Sequence, residues 1–312
     1  MAINQRPRFE VSHDYLSGSL LDDGWHALLS CPAGFSQDIF ELGTTQLVHH
    51  PEYNSTLILR SEVISDMTFK DAEPAVDLPP LVPTFSGLRP VRCIHRKLLP
   101  RRPGRDAALE QYCTFYTSCS LSPNDDASAA GSPNTLVLTP IVEDGIPLPY
   151  YHPAVSHIAF RFLSLPPETG ASPSPSSSET PSPQNILRID AQPFPGVSLD
   201  PNDRLYRTSL ALLETVYRYC WGVITQYKKR VVHDALVPRE RYQDLYLIMR
   251  ERHKGLVDTW KEVTDPLKHV FEDIGIATYL MLLWKDTFSL RTANDSPTEP
   301  ETEDLTQEPW KK

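Results

Sequence analysis

The chain has 312 residues, 40% of them hydrophobic, which is enough for about two domains with real cores and excludes a wholly disordered protein. Its formal net charge of −10 argues against indiscriminate coating of nucleic acid, because the summed field repels phosphate. The N-terminus lacks an apolar signal region, and no run approaches the roughly 18 apolar residues of a membrane helix. These features predict a soluble, intracellular protein.

The predicted elements begin after an N-terminal arm, residues 1–34. A short helix is expected over residues 35–49, with Ser36 as its N-cap and Pro51 just beyond its end. Short runs rich in β-branched and aromatic residues, separated by Gly, Pro and Asn, then predict strands. These runs cover residues 55–64, 91–99, 112–121, 135–142, 157–165 and 185–194.

A proline- and serine-rich segment, residues 166–184, has too little apolar surface to offset the entropy of ordering it, which predicts a disordered insert. Strand character resumes directly after it. The insert is therefore expected to interrupt two strands of one sheet rather than to separate two domains. Residues 35–165 and 185–200 together are predicted to form one mixed, β-rich, substrate-binding region.

The apolar period changes to that of helices over residues 201–286. One helix carries an apolar stripe from Leu205 to Tyr227, and a second begins at Pro238. A third begins at Asp265, an N-cap followed by Pro266 at the first helical position. Residues 287–312 lose this period and turn acidic, which predicts a disordered linker or tail. The predicted fold class is α+β, with a small β-rich region followed by a helical region.

The cysteines are five in number, an odd count, and none follows CxxC spacing. Neither a disulfide framework nor a metal site is therefore expected. The pattern predicts reduced thiols in the core: Cys31, Cys93, Cys113, Cys119 and Cys220.

A strongly basic stretch, residues 89–105, contains no acidic residue. Contact of about four of its cations with phosphates would give a log–log salt slope of roughly −3.6. The alternative is a solvated loop whose charges pair with the acidic remainder of the chain. Three nearby aromatic residues, Tyr112, Phe115 and Tyr116, are candidates for stacking on unpaired bases. The candidate RNA-binding cations, besides Arg89, are Arg92, Arg96, Lys97, Arg101, Arg102 and Arg105.

A second basic cluster lies where the long helix is expected to end and the next to begin. Cations in the last turn of a helix are favoured by its dipole, so structure alone explains part of this cluster. RNA contact is the functional alternative. The candidate residues are Lys228, Lys229, Arg230, Arg239 and Arg241, with His233 nearby.

No motif in the chain points to a catalytic residue. The thirteen glycines never fall as GxG, so no turn suited to a nucleotide-type cofactor is present, and HExxH, GxSxG and P-loop motifs are missing as well. His269 and Asp273 are four residues apart on one helix, where they could act as a base and its orienter or form a structural pair. The residues alone predict an α+β module with basic patches.

Three stretches resemble the fungal members of the S-adenosylmethionine-dependent tRNA (uracil-2'-O-)-methyltransferase family, which modify uridine-44 in serine tRNA. These stretches are "IHRKLLPRRPGRDAALEQYCTFY" (94–116), "LPYYHPAVSHIAFRF" (148–162) and, most specifically, the 231–284 segment that ends in "KHVFEDIGIATYLMLLW". One departure is Arg102, where an uncharged residue such as Asn is expected.

The resemblance implies methyl transfer from S-adenosyl-L-methionine to a ribose 2'-hydroxyl of serine tRNA in the cytoplasm. It also implies a glycine-rich DLGCGNG-type turn after a variable linker, and this chain contains no such turn. We therefore expect the N-terminal, RNA-holding portion of such an enzyme, a fragment with no cofactor-binding residues and no activity of its own. The alternative is a non-catalytic RNA-binding or adaptor module without the methyltransferase domain.

The third helix has apolar residues on two faces in its second half, so it needs two neighbours. Upstream helices can supply one, and the methyltransferase domain implied by the resemblance would supply the other. A partly exposed apolar face is therefore expected in this chain. Four residues are expected near this domain seam, where they could pair with one another or face the cofactor region: Lys268, His269, Glu272 and Asp273.

Overall fold

The computed structural model divides the chain into two compact units, Met1–Tyr227 and Lys228–Lys312. Among the helices it describes, none combines the length and apolar character that a membrane crossing requires. The described residues are 6–11, 21, 24–69, 78–119, 132–142, 146–165, 184–227 and 236–294.

The first unit is built on a seven-stranded antiparallel sheet with the order β1-β7-β6-β5-β4-β3-β2. Strands β2 to β6 each pair with the next strand along the chain, and β1 forms the other edge of the sheet by pairing with β7. The strands are β1 (His26–Pro32), β2 (Ile58–Thr68), β3 (Leu88–Pro100), β4 (Leu109–Ser118), β5 (Thr135–Ile141), β6 (Val155–Leu165) and β7 (Gln184–Pro193).

Two helices, α1 (Gln37–His49) and α2 (Arg204–Ile224), cover one face of this sheet. Alternate strand residues such as Leu136 and Phe160 point to the helices and are fully buried against them. The two helices also pack on each other at Gly43, where an added Cβ would lie 2.5 Å from the Sγ atom of Cys220. The main core of the unit therefore lies between the sheet and the two helices.

The opposite face of the sheet carries a smaller apolar cluster and a buried charged group. Trp25, Tyr116 and Val137 belong to the cluster. Asp190 is fully buried, and its Oδ1 atom accepts a 2.9 Å hydrogen bond from the Nε atom of Arg188. Burial raises the pKa of Asp190, and the nearby guanidinium groups oppose this shift.

The described part of the second unit is a helical hairpin made of α3 (Arg239–His253) and α4 (Pro266–Asn294), with a short 3-10 helix, Lys254–Val257, between them. Asp265 caps α4 as expected, because its Oδ1 atom accepts hydrogen bonds from the backbone N–H groups of Leu267 and Lys268, at 3.0 and 3.4 Å.

The structure confirms the predicted helices and strands and refines their limits. The segment treated as an N-terminal arm contains β1, an edge strand of the sheet. The predicted insert lies between the paired strands β6 and β7, but residues 166–183 are outside the described residues. Of the tail predicted to be disordered, residues 287–294 continue α4, and residues 295–312 are outside the described residues.

The long helix predicted with the C-terminal helices belongs instead to the first unit, since α2 packs on α1 and on β1. The division therefore falls after Tyr227 rather than at residue 201. Four of the five cysteines are buried free thiols, as predicted, whereas Cys119 is exposed. Among the described residues, no cluster of three or more His, Cys, Asp or Glu side chains could hold a metal ion.

Candidate RNA interface

The basic stretch forms β3 and the turn that joins it to β4. Side chains alternate along a strand, so the cations of β3 are divided between the two faces of the sheet. Arg96 points to the helices together with Ile94, and Lys97 points to the opposite face. One continuous basic surface therefore does not form along β3.

Arg96 is buried, with 3% of its surface exposed, so its assignment as an RNA contact is wrong. Its Nε and Nη2 atoms donate to the Oε1 atom of Gln111 at 3.1 and 2.6 Å, and its Nη1 atom donates to the backbone carbonyls of Leu47 and Val48. Those carbonyls belong to the last turn of α1, where no helical N–H can reach them. Arg96 therefore caps the C-terminal end of α1 from a buried position in the core.

Arg92 and Lys97 are partly exposed but hold carboxylate partners on neighbouring strands. The guanidinium of Arg92 donates to both oxygens of Asp66, at 2.8 and 2.6 Å, and lowers the pKa of that carboxyl group. The Nζ atom of Lys97 lies 3.3 Å from the Oε1 atom of Glu110. Both cations would have to exchange a carboxylate for a phosphate to contact RNA.

The turn between β3 and β4 is the most accessible part of the basic stretch. Arg101, Arg102 and Arg105 are all exposed there, and within the described residues none lies in an ion pair with a carboxylate. The Nε atom of Arg101 donates to the backbone carbonyl of Ile58 at 3.2 Å, which holds the start of the turn against β2. These three side chains can therefore meet phosphates without giving up a carboxylate partner.

A neighbouring segment adds an aromatic ring to this surface. Tyr150 is 69% exposed, and the guanidinium carbon of Arg204 lies 4.2 Å from the centre of its ring. The hydroxyl group of Tyr151 donates to the backbone carbonyl of Ala107 at 2.7 Å, which ties this segment to the β3–β4 turn. We call the resulting surface the hairpin patch: Arg101, Arg102, Arg105, Tyr150 and Arg204.

Neither Tyr150 nor Arg204 was singled out from the sequence. The one sequence feature that could have pointed to Tyr150 was the family resemblance of residues 148–162. This segment contains Tyr150, but the resemblance assigns that residue no role. Of the aromatic residues predicted to stack on bases, Phe115 and Tyr116 are buried in the two apolar clusters, so that prediction is wrong for both. Tyr112 is partly buried against His95, with ring centres 4.8 Å apart.

The second basic cluster is only partly visible, because Lys228, Lys229, Arg230 and His233 lie outside the described residues. Arg239 is half-buried at the start of α3. Arg241 donates to both oxygens of Asp286 on α4, at 3.0 Å each. Arg241 therefore joins the two helices of the second unit.

The four residues expected at a domain seam lie on the first turns of α4. Glu272 and Asp273 are both exposed, so α4 does not bury their charges. His269 stacks on Trp260 and lies 3.8 Å from the Oε2 atom of Glu272, one turn away, rather than pairing with Asp273 as a base and orienter. Lys268 is exposed beside them.

The predicted exposed apolar face of α4 is confirmed. Ile276 and Trp284 are 59% and 54% exposed, whereas Val270 and Ile274 are buried. Two open grooves flank the helix. One, of about 520 Å³, is lined by Tyr242, Tyr246, Phe271, Ile276 and Tyr279, and the other, of about 550 Å³, is lined by Met249, Trp260, Val270, Asp273 and Ile274.

The seven-stranded antiparallel sheet with a long helix across one face defines a Bet v 1-like α+β domain. A family model described as "TRM44-like, N-terminal bet v1-like domain" matches residues 4–230, and the chain belongs to that family. A second model, described as a predicted AdoMet-dependent methyltransferase, matches residues 236–296, which include α3 and α4. The family inferred from the three sequence stretches is confirmed.

Several curated relatives carry the name tRNA (uracil-O(2)-)-methyltransferase. The protein from Neurospora crassa is 31% identical over 296 residues, which cover 92% of this chain and 54% of the relative. The protein from Schizosaccharomyces pombe is 32% identical over 275 residues, covering 85% and 48%. The protein from Candida glabrata is 29% identical over 318 residues, covering 90% and 51%. The chain spans about half the length of the curated relatives it matches.

Proposed function

We propose that this chain holds tRNA for transfer of a methyl group from S-adenosyl-L-methionine to the ribose 2'-hydroxyl of a uridine. One observation carries the proposal. The relatives from Neurospora crassa and Schizosaccharomyces pombe, both named tRNA (uracil-O(2)-)-methyltransferase, align with 92% and 85% of this chain. The resemblance described above supports serine tRNA as the substrate and the cytoplasm as the location.

The hairpin patch supplies the chemistry that RNA holding requires. Exposed arginines bind phosphates and release counterions, and an exposed aromatic ring stacks on an unpaired base. The contact of Arg204 with Tyr150 places a cation beside the ring, so one site can hold a base and its adjoining phosphate together.

The described residues of this chain do not by themselves form a site that fits the cofactor. The described residues from 236 to 294 form helices without a strand, whereas a methyltransferase cofactor site of the expected type begins at a glycine-rich turn between a strand and a helix. Methyl transfer would break a sulfur–carbon bond, form an oxygen–carbon bond and release the hydroxyl proton. We assign this chain to RNA holding and to none of those steps.

The exposed face of α4 forms part of the same proposal. Its apolar residues, among them Ile276 and Trp284, would pack on the methyltransferase domain that the family implies, and Lys268, His269, Glu272 and Asp273 would lie near that contact. Burial of this face would remove apolar side chains from water, and because Ile276 and Trp284 are a little more than half exposed, each would contribute roughly half of the ~1.5–3 kcal/mol of a fully exposed side chain.

The test is filter binding of the 312-residue chain to transcribed serine tRNA over a range of salt concentrations. We expect weak binding whose affinity falls steeply with salt, and weaker binding of a duplex DNA of equal length. Binding that is insensitive to salt, or no binding at low salt, would contradict the proposal. Binding of S-adenosylmethionine to this chain in calorimetry would contradict the assignment to RNA holding alone.

A further inference from the structure

The ring of Tyr150 in the hairpin patch has one face covered and one face open. The guanidinium carbon of Arg204 lies over the ring, 4.2 Å from its centre. The Nη2 atom of Arg204 donates to the backbone carbonyls of Tyr150 and His152, the second at 3.2 Å. These two hydrogen bonds hold the guanidinium against the ring, and yet 69% of Tyr150 is exposed. The exposed surface therefore includes the second face of the ring.

A ring with one open face can stack on one base. Proteins that bind long single strands place several rings along a groove, and successive bases stack on them. The hairpin patch contains one aromatic ring. The neighbouring ring of Tyr151 is partly buried, and its hydroxyl group is bonded to the carbonyl of Ala107. The patch is therefore suited to a single unpaired base and not to a single-stranded tract.

Three arginines of the patch project from one short turn whose backbone is held in place. The N–H group of Arg105 donates to the carbonyl of Arg102 at 2.9 Å, and Pro103 fixes a backbone dihedral angle between them. The N–H group of Arg101 donates to the carbonyl of Leu57 at 2.8 Å. The three cations are therefore concentrated at one place rather than spread along a groove.

Concentrated cations favour the backbone of a duplex over that of a single strand. Double-stranded DNA carries about one negative charge per 1.7 Å of its axis, about twice the density of one of its strands. An RNA helix likewise brings two rows of phosphates together. The turn and the ring therefore fit two different parts of one RNA, a paired backbone and an unpaired base.

We infer, on the basis of the proposed RNA holding, that the hairpin patch binds duplex RNA at a point where a single base is unpaired. The three arginines of the turn contact phosphates of the paired strands, and the unpaired base leaves the helix and stacks on the open face of Tyr150. Stacking tolerates any base, because every base has a π-face. The patch therefore selects the shape of the RNA rather than its sequence.

The test measures binding of the whole 312-residue chain to three RNA hairpins with the same loop, at one low salt concentration. The first has a fully paired stem, the second has one bulged nucleotide in the stem, and the third has an abasic nucleotide at the bulge. We expect the bulged stem to bind at least about fivefold more tightly than the paired stem, the lower end of what stacking one base contributes. The abasic bulge should bind as the paired stem does, because it interrupts the helix but offers no base.

Variants of the whole chain locate the preference on the ring. Tyr150→Ala should bind the bulged and paired stems equally, whereas Tyr150→Phe keeps the ring and should keep the preference. Arg102→Ala combined with Arg105→Ala should weaken binding of both stems by a similar factor and leave the preference unchanged. Circular dichroism checks that each variant is folded.

The possible failures are distinguishable from one another. Equal binding of the bulged and paired stems by the unaltered chain would overturn the inference and leave the proposed function intact. The same holds if the abasic bulge binds as tightly as the complete bulge, or if the preference persists in folded Tyr150→Ala. No binding of any of the three RNAs at low salt would contradict the proposed function itself, and the inference with it.

Discussion

The hydroxyl group of Tyr151 donates a 2.7 Å hydrogen bond to the backbone carbonyl of Ala107, across 44 residues of sequence. This contact holds the segment that carries Tyr150 against the turn that carries Arg102 and Arg105. It brings together two stretches that the family resemblance marks separately. The hairpin patch exists because of such tertiary contacts.

Removing two free arginines should weaken tRNA binding mainly through charge. We expect Arg102→Ala combined with Arg105→Ala to make the log–log salt slope less steep by roughly 1.8, because two fewer counterions are released. Filter binding at several salt concentrations measures this slope. Arg218→Ala, which removes an exposed arginine of α2 outside the patch, is the control and should leave the slope unchanged. If the double variant has the same slope as the Arg218→Ala control, the β3–β4 turn is not the phosphate contact.

Removing the aromatic ring should weaken tRNA binding without changing its dependence on salt. Tyr150→Ala removes a stacking surface but no charge, and stacking of a base on an aromatic ring contributes about 1–3 kcal/mol. We expect a loss of that size at every salt concentration. Tyr53→Ala is a matched control, because Tyr53 is also exposed, at 52%, but lies outside the patch. If both variants lose the same affinity, the ring of Tyr150 has no special role.

Arg96 should matter for stability rather than for RNA binding. Arg96→Met leaves the Oε1 atom of Gln111 and the carbonyl of Val48 without their donor, and each orphaned acceptor costs about 1–3 kcal/mol. Urea denaturation should show this loss in the free energy of unfolding. Lys97→Met, next along the strand but partly exposed, should cost less than about 1 kcal/mol. Similar losses in the two variants would show that burial of Arg96 is not the cause.

Acid should destabilise the first unit through His152. Burial lowers its pKa in the folded chain from 6.5 to about 4, so the unfolded chain binds the proton more readily. The free energy of unfolding should therefore fall as the pH drops from about 6.5 to 4, by about 1.4 kcal/mol per pH unit at most for one such group.

Urea denaturation of the His152→Gln variant at several pH values checks this contribution. Its pH dependence should be shallower than that of the unaltered chain, but not absent, because burial also lowers the pKa of His157 to about 4. An identical pH dependence in the two proteins would show that His152 does not contribute.

Gly43 and Gly222 should respond in opposite directions to the same change. Alanine normally stabilises a helix relative to glycine by roughly 0.5–1 kcal/mol. At Gly43 the added Cβ would lie 2.5 Å from the Sγ atom of Cys220, so we expect a net loss of about 1–3 kcal/mol. At Gly222 nothing lies within 4 Å, so we expect a gain. Thermal denaturation of both variants measures the difference, and a stabilising Gly43→Ala would disprove the close packing of α1 on α2.

The sequence by itself determined the elements and the family. Alternating apolar residues mark β3 to β7, the cap at Asp265 marks the start of α4, and the 231–284 segment indicates the methyltransferase family. These signals are local, because propensity, capping and periodicity act over a few neighbouring residues. The edge strand β1 was missed, since its seven residues carry only a weak pattern and pair with a strand more than 150 residues away.

Only the tertiary structure decided what each cation does. Arg96 and Arg102 lie in the same basic stretch and look alike in the sequence. The pleat of β3 turns Arg96 into the core, where the end of α1 supplies acceptors, and the chain reversal after β3 leaves Arg102 in solvent. Burial depends on contacts between distant segments, which residue order alone does not specify. The same reason explains why Tyr150 and Arg204, 54 residues apart, meet in one patch.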